Sequence, residues 1–379
     1  MKLGRVVRVL YDDSRKDIFS ADKENRKVVI SIFYKADKDV FFEKKAYYKD
    51  LYEPNKGEFI KRFGDNSEEK NRYLNNIEIN TFNDAPMIKE DIKYPVILYS
   101  AGLGMGRDLY MFNIEALVAK GYIVITIEHI YDSEFTVLPD GKVIEQDKNI
   151  KNDPKKVIKE IINTRREDIL FILEQLKNLN REDEVVRNKM DLNKIGAIGH
   201  SLGAYTLFES FTKDERIKAL VMLDGSLQYI DLNSEILEGK NLNKPLLNFR
   251  KGLNKYEERM KFFIERNENK FDGEKFKKLI ISQHYTVIKQ EEGQDQLAQY
   301  LGNYQSSIKL NKTEHMTFSD WFIIENQCEG NDMLSIEEAH CIINDVTISF
   351  LDEFLCGINE EYTNILKNNR YSDLTLLDS

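Results

Sequence analysis

In the segment Gly199–Gly203 (GHSLG), a serine stands between two glycines at a spacing that suits nucleophilic chemistry. The apolar run 195–198 precedes this segment and a predicted helix begins at Ala204, so a strand is expected to turn sharply into a helix at the serine. Glycine relieves the backbone crowding that such a turn creates. The turn would lift the Ser201 hydroxyl above a sheet and direct the amide of Leu202 towards an oxyanion. The pattern therefore predicts a nucleophilic serine, and the alternative is a tight turn with a solvated serine.

A serine nucleophile requires a general base, and the chain contains five histidines. His315 follows a strand-like run and opens a loop late in the chain, where hydrolases with this kind of turn carry the base. His284 remains a weaker competitor within a charged stretch. His200 is too close to the serine along the backbone to reach its hydroxyl, so we expect it to pack. His129, at the end of a predicted strand, is expected to be structural, and His340, on a predicted helix, to be packed or exposed.

The base in turn requires an acid that orients it. The run 219–223 is apolar without alternation, as in a parallel strand covered on both faces, and Asp224 follows it directly. Asp224 is therefore the predicted acid, and a turn or helix-cap residue is the alternative. The next predicted strand, 245–249, is followed by Arg250, and the first carboxylate beyond it is Glu257. This second strand therefore offers no acid.

These residues can meet only if a sheet brings several strand ends to one edge. Strand-like and helix-like segments alternate along the chain, which predicts an α/β fold with a mostly parallel central sheet and helices on both faces. The run 28–34 is expected to open the sheet as an antiparallel strand, and 109–120 to form a helix. A hairpin with an Asp-Gly turn is predicted over 135–144. A long helix that Asp153 caps is predicted to begin at Pro154.

Two charged segments depart from this alternation within what we expect to be a single domain over 1–379. Residues 44–76 are charged and rich in tyrosine, which predicts a helical excursion. Residues 251–302 mix Tyr, Phe, Lys and Glu, which is compatible with an inserted cap or lid over the site. A solvated insertion is the alternative for this second segment.

The composition favours an enzyme over a protein that binds polyanions. With 55 Lys+Arg against 65 Asp+Glu, the formal net charge of −10 disfavours nucleic acid as a partner. Cys328, Cys341 and Cys356 lack metal-binding spacing and predict reduced thiols. No stretch is long and apolar enough to span a bilayer, and the first ten residues lack a signal-peptide core. We therefore expect a cytoplasmic protein, although a secreted chain whose leader had been removed would look the same.

Taken together, these segments resemble the platelet-activating-factor acetylhydrolase family, which is related to dienelactone hydrolases. In that family the nucleophile lies in G-H-S-x-G, the acid follows the next strand, and the base opens an H-x-x-F-[SA]-D loop, which residues 315–320 (HMTFSD) match. Residues 95–104 resemble the family's strand and H-G-L-G oxyanion loop, but Ala101 stands where the family usually carries histidine. The resemblance runs from about residue 26 to the C-terminal helix.

The resemblance implies an α/β-hydrolase fold and a serine esterase that cleaves short or oxidised acyl chains from phospholipids through an acyl-enzyme, without metal or cofactor. The predicted triad Ser201, Asp224 and His315 fits this family. The resemblance also implies that the amide of Leu103 joins that of Leu202 in an oxyanion hole. A broad-specificity carboxylesterase of the dienelactone or polyester type would use the same residues, and a non-catalytic scaffold that binds ligands is a third class. Because the base must be neutral, activity is expected to rise with pH through about 6 to 7.

Overall fold

A ten-stranded sheet forms the centre of the computed structural model, which describes residues 1–38, 45–230, 243–252, 256–268, 273–300, 305–326 and 332–377. The strands of the described residues are β1 (Leu3–Lys16), β2 (Asn25–Lys35), β3 (Ala46–Tyr47), β4 (Glu78–Ile79), β5 (Thr81–Asn83), β6 (Tyr94–Ser100), β7 (Ile123–Glu128), β8 (Phe135–Val137), β9 (Val143–Glu145), β10 (Met190–His200), β11 (Ile217–Leu223), β12 (Leu246–Lys251), β13 (Gln305–Leu310) and β14 (Leu374–Leu376). The order in the large sheet is β14-β13-β12-β11-β10-β6-β7-β2-β1-β5.

The six central strands, from β13 to β7, are parallel, so their carboxyl ends meet at one edge of the sheet. Antiparallel strands flank them, with β14 on one side and β2 on the other. Helices cover both faces of these strands, and all six residues of β7 are buried. This confirms the predicted α/β-hydrolase fold.

Helices occupy most of the connections between these strands. They are α1 (Gly57–Phe63), α2 (Glu68–Asn75), α3 (Met111–Lys120), α4 (Lys148–Asn152), α5 (Ile158–Glu182), α6 (Leu202–Lys213), α7 (Tyr256–Asn267), α8 (Gly273–Tyr300), α9 (Trp321–Glu325), α10 (Ile336–Leu351) and α11 (Glu361–Lys367). Shorter 3-10 turns lie at Tyr48–Tyr52, Pro154–Val157, Leu227–Tyr229 and His315–Phe318, and a π-helical turn at Asp352–Cys356. Among the described helices, none combines the length and apolar composition that crossing a bilayer requires.

The core has two halves, one on each face of the sheet. Successive residues of a strand point to opposite faces, so Ile97 and Tyr99 of β6 join one apolar cluster while Val96 and Leu98 join the other. Helices α3 and α10 cover the first face, and α5 and α6 cover the second. Helix α6, which begins immediately after the predicted nucleophile, is therefore anchored by its burial against the sheet.

The first strand differs from the sequence prediction, because the sheet includes β1 ahead of the segment 28–34. That segment lies in β2, which pairs antiparallel with both β1 and β7. Arginines interrupt the apolar pattern of β1, yet Arg5 is buried and its guanidinium lies 2.6 Å from the carboxylate of Asp108. A buried arginine with a distant partner cannot be distinguished from an exposed one by the periodicity of the strand alone.

The helix at Asp153 also differs in detail. Pro154 begins a 3-10 turn, and the side chain of Asp153 accepts no capping hydrogen bond from it. The α-helical hydrogen bonds of α5 start only at Ile158, and the residue that caps a helix in this region is Asp147, at the start of α4. The helix predicted over 109–120 is α3, which begins two residues later than expected. The hairpin predicted over 135–144 is formed by β8 and β9.

Both charged segments carry helices where they are described. The segment 44–76 contains β3, a 3-10 turn, α1 and α2, with residue 44 outside the described residues. The segment 251–302 contains α7 and α8, with 253–255, 269–272 and 301–302 outside them. Its role as a lid stays a prediction. Cys341 and Cys356 are free thiols, and Cys328 lies outside the described residues.

A cluster of buried charges joins β2 to α5. The guanidinium of Arg26 donates two hydrogen bonds to the carboxylate of Asp168, at 3.0 and 2.6 Å, and one to Asp17 at 2.7 Å. All three side chains are nearly inaccessible to solvent. Removing one member of such a group leaves buried charges without compensation, which is more destabilising than losing an exposed pair.

We therefore expect Arg26→Met to lower the free energy of unfolding by about 3–5 kcal/mol, measured by urea denaturation. Arg181→Met is the matched control because Arg181 pairs with Glu182 where both side chains are about two-thirds exposed. The control should change stability by about 0.5 kcal/mol or less. Equal effects of the two substitutions would show that the Arg26 cluster does not stabilise the fold in this way.

Candidate active site

Ser201 lies at a strained turn between β10 and α6. Its φ of 54° and ψ of −121° are outside the regions that a non-glycine residue favours. Two glycines make this turn sterically possible. A Cβ on Gly199 would lie 2.6 Å from the amide nitrogen of Ala204, and one on Gly203 would lie 2.2 Å from the carbonyl oxygen of Ser100. Their positions follow from the sharp strand-to-helix turn that the sequence predicts.

The structure brings the three residues of the predicted triad into one hydrogen-bonded series. The Nε2 atom of His315 lies 3.0 Å from the hydroxyl oxygen of Ser201, and its Nδ1 atom lies 2.5 Å from a carboxylate oxygen of Asp224. Asp224 follows β11 directly, and His315 begins the short helical turn after β13. All three thus reach the carboxyl edge of the sheet from different strands.

Two cations surround the carboxylate of Asp224. One Nη atom of Arg250 lies 3.2 Å from its Oδ1 atom, outside hydrogen-bonding geometry but within ion-pair distance, and the ammonium of Lys251 lies 3.4 Å from Oδ2. Burial would raise the pKa of Asp224, but the charges of Arg250 and Lys251 and the hydrogen bond from His315 outweigh it and hold this pKa well below its usual range. The acid therefore stays ionised.

The imidazole of His315 is tuned towards its neutral form. Burial lowers its pKa, the hydrogen bond with Asp224 acts in the opposite direction, and Lys251 and Arg250 lower the pKa further, so that it lies below the usual histidine value. The side chain keeps 36% of its surface exposed, so the ring can still be reached from solvent. A neutral imidazole whose Nδ1–H donates to Asp224 leaves Nε2 free to accept the proton of Ser201.

His200 packs, as predicted, and also holds the backbone of His315. Its Nε2–H donates to the carbonyl oxygen of His315 at 3.0 Å, and the two imidazole centroids are 4.5 Å apart. Its Nδ1 atom lies 3.1 Å from the hydroxyl of Tyr110, which in turn accepts from the amide of Gly102 at 2.9 Å. Burial keeps the pKa of His200 well below its usual value.

The two predicted oxyanion donors lie on segments that approach each other. A Cβ on Gly102 would be 3.4 Å from the Cβ of Ser201, so the loop that carries Leu103 borders the nucleophile. The amides of Gly102 and Gly104 donate to Tyr110 and Asp132, whereas the amide of Leu103 between them donates to no described residue. The amide of Leu202, in the first turn of α6, likewise has no acceptor among the described residues.

Asp320, the last residue of the segment 315–320, connects this loop to the start of α3. Its carboxylate accepts from the hydroxyl of Tyr48 at 2.8 Å and from the backbone amides of Met111 and Phe112, at the start of α3. Because this side chain is buried, its pKa is raised to about 6. Asp320 thus ties the loop of the base to the helix that follows the oxyanion loop.

The remaining histidines do not reach the triad. His284, the weaker competitor for the base, lies exposed on α8. His340 is buried on α10, donates through its Nε2 atom to the carbonyl of Thr317 at 3.0 Å and stacks on Phe112 at 3.7 Å. His129 is buried at the end of β7, as the sequence predicts.

The cations beside the acid were not predicted from the sequence. Arg250 and Lys251 end the strand next to Asp224, and in the sequence they indicate only that this strand offers no acid. Two basic residues directly after a buried strand were a usable signal, because a charge at that edge of a parallel sheet must face the groups at the neighbouring strand end.

A serine at a strained strand-to-helix turn, joined to histidine and aspartate at the carboxyl edge of a mostly parallel sheet, has the arrangement of an α/β hydrolase. Within that class, a family model described as "Platelet-activating factor acetylhydrolase, isoform II" matches residues 15–365. The chain therefore belongs to this family, and the resemblance found in its sequence is confirmed.

Individual relatives are similar over a shorter stretch. A probable 1-alkyl-2-acetylglycerophosphocholine esterase of Arthroderma benhamiae is 28% identical over 153 residues, which are 40% of this chain and 36% of the relative. The platelet-activating factor acetylhydrolase of Cavia porcellus is 28% identical over 158 residues, 36% of each chain. The structure of a ferulic acid esterase from Streptomyces cinnamoneus matches this chain with a TM-score of 0.70 and 20% identity. The match covers 100% of this chain and 96% of the esterase chain. This last similarity is one of fold.

We expect His315 to titrate below the ordinary histidine pKa of about 6.5, which NMR of histidine-labelled protein would measure, with His315→Gln to assign the signal. Lys251→Met should raise this pKa because it removes a cation that disfavours the imidazolium. Lys261→Met is the control, since Lys261 is exposed on α7 and pairs with Glu265. A His315 pKa at or above about 6.5, or one that Lys251→Met leaves unmoved, contradicts this electrostatic account.

Proposed function

We propose that this chain is a serine hydrolase of carboxylic esters, with Ser201 as nucleophile, His315 as general base and Asp224 as the acid that orients it. One observation carries the proposal: the imidazole of His315 lies 3.0 Å from the serine hydroxyl and 2.5 Å from the aspartate carboxylate. This geometry suits proton transfer from serine to Nε2 without any movement of the backbone. The backbone strain at Ser201 supports the same role, because a tight turn with a solvated serine would not require it.

The proposed reaction has two halves. In the first, His315 accepts the Ser201 proton as the serine oxygen attacks the ester carbonyl, and the amides of Leu202 and Leu103 bind the oxyanion. The imidazolium then donates this proton to the leaving alcohol, which departs as the acyl-enzyme forms. In the second half, His315 deprotonates a water molecule that attacks the acyl group, and returns the proton to Ser201. Asp224 remains ionised throughout and stabilises the imidazolium.

The proposed substrates are esters with a short acyl group on a glycerophospholipid. The family match and the names of the relatives from Arthroderma benhamiae and Cavia porcellus support this class. A broad carboxylesterase would use the same triad with a different pocket, and a non-catalytic scaffold would retain the fold without turnover. Both are outcomes of the experiments below.

We expect Ser201→Ala to abolish covalent labelling by a fluorophosphonate and to lower ester turnover by about four orders of magnitude. Ser226→Ala is the matched control, because its hydroxyl lies 3.5 Å from that of Ser201 and is not bonded to His315. The control should react with the fluorophosphonate as the parent does, and its ester turnover should stay within about tenfold of the parent's. Undiminished hydrolysis by Ser201→Ala would rule out this nucleophile, and a parent protein without turnover would favour the scaffold.

The acyl specificity can be measured with a chain-length series of p-nitrophenyl esters beside a phospholipid that carries a short acyl group at one position. For a pocket built around a short acyl group we expect kcat/KM to fall by about tenfold or more from butyryl to octanoyl esters, since groups that do not fit lose binding energy in the transition state. Comparable rates on long-chain or bulky aromatic esters would favour the broad carboxylesterase instead.

A further inference from the structure

A second Ser-His-Asp series lies buried behind the oxyanion loop 101–104. The Nε2 atom of His129 lies 3.1 Å from the hydroxyl of Ser100, and its Nδ1 atom lies 2.9 Å from the carboxylate of Asp168. Ser100 ends β6 immediately before the loop, His129 follows β7, and Asp168 lies on α5. The three side chains thus connect the end of a central strand to the helix behind it.

This second series cannot act on a substrate. Ser100 and Asp168 have no exposed surface and His129 has 2%, so no ester carbonyl can reach the hydroxyl. Asp168 also accepts hydrogen bonds from Arg26 and Arg15, which fix its carboxylate. A neutral His129 that donates from Nδ1 to Asp168 must accept at Nε2, so the Ser100 hydroxyl donates to it. The series is therefore a directed structural contact with every polar group paired.

The same helix holds the loop itself through Arg165, one turn before Asp168. The guanidinium of Arg165 donates to the carbonyl oxygen of Ala101 at 2.6 Å and to that of Gly102 at 3.1 Å. It also forms a two-point contact with the carboxylate of Asp132, at 2.6 and 2.8 Å. Asp132 in turn accepts from the amide of Gly104 at 3.2 Å. Such forked contacts fix position as well as charge.

These contacts leave the amide of Leu103 available. Residues on either side of Leu103 are bound: the carbonyl of Gly102 accepts from Arg165, the amide of Gly104 donates to Asp132, and the carbonyl of Gly104 accepts from the amide of Glu134. The amide of Leu103 has no acceptor among the described residues. A preorganised donor of this kind stabilises a developing oxyanion only if its position is fixed before the reaction.

We propose that helix α5 positions the oxyanion loop through Arg165, which holds the loop carbonyls, and through Asp168, which holds Ser100 by way of His129. We call Arg165, Asp168, His129 and Asp132 the α5 clamp. The inference rests on the proposed function, because the clamp gains a catalytic meaning only if Leu103 binds an oxyanion. It also gives the loop a source of rigidity that does not depend on a histidine at position 101, where this chain carries alanine.

The test compares an ester with its thiono analogue, in which sulfur replaces the carbonyl oxygen. The C=S bond is longer and its sulfur accepts hydrogen bonds weakly, so the thiono ester gains little from the amides of the oxyanion hole. The ratio of kcat/KM for the two substrates therefore measures how well those amides are placed. A variant that only lowers the folded fraction reduces both rates equally and leaves this ratio unchanged.

We expect Ser100→Ala to lower the ratio of oxo to thiono kcat/KM by about tenfold, and Arg165→Lys to lower it further, because lysine keeps the charge but loses the fork. The loss should fall on kcat more than on KM, since the oxyanion forms only in the transition state. Tyr34→Phe is the control, because Tyr34 lies on β2 and the substitution also removes one buried hydroxyl. That hydroxyl donates to the carbonyl of Ala85 at 2.7 Å. Its ratio should equal that of the parent.

Each outcome decides the inference. The α5 clamp does not position the loop if Ser100→Ala and Arg165→Lys react more slowly but keep the parent's ratio of oxo to thiono kcat/KM. The same conclusion follows if both variants keep the parent's rate as well as its ratio. Should Arg165→Lys fail to fold, the ratio measured for Ser100→Ala alone is decisive, because that substitution deletes a single hydroxyl. A parent protein that does not hydrolyse the oxo ester refutes the proposed function itself, which is a different result from an active parent whose variants keep the oxo preference.

Discussion

The site depends on one close approach between two backbones. The first turn of α6 lies so near the end of β6 that a single Cβ on Gly203 would come within 2.2 Å of the Ser100 carbonyl and 2.4 Å of that of Ala101. This contact places the first turn of α6, which contains Leu202, against the start of the loop that carries Leu103. The positive φ of Ser201 is the backbone conformation that makes the approach possible. Without glycine at 203, the nucleophile and the oxyanion loop would be pushed apart.

A second constraint is the burial of charge at the strand ends. Asp224 is 2% exposed, and a carboxylate in that position requires compensation. The compensation comes from the neighbouring strand, where Arg250 and Lys251 continue β12 alongside the end of β11. The same two cations disfavour the protonated form of His315. One arrangement of charges therefore keeps the acid ionised and the base neutral, which the proposed proton transfer requires.

Ser201 and Asp224 could be predicted because each directly follows an apolar strand, and parallel strands bring such ends together. His315 could be predicted because it opens a loop late in the chain, after a strand-like run. The α5 clamp could not be predicted, because Arg165 and Asp132 are 33 residues apart and meet the oxyanion loop only after the helix has packed on the sheet. Strand β1 was missed for a related reason. Its Arg5 reads as exposed until Asp108, far along the chain, is seen to neutralise it.

The hydrogen bonds between the oxyanion loop and the base can run in one direction only. Tyr110 accepts from the amide of Gly102, so its own proton goes to Nδ1 of His200. His200 must then carry its proton on Nε2, from which it donates to the carbonyl of His315. Because burial keeps the pKa of His200 well below its usual value, this direction persists while His315 titrates. The base can therefore change charge without disturbing the contacts that align it with the oxyanion loop.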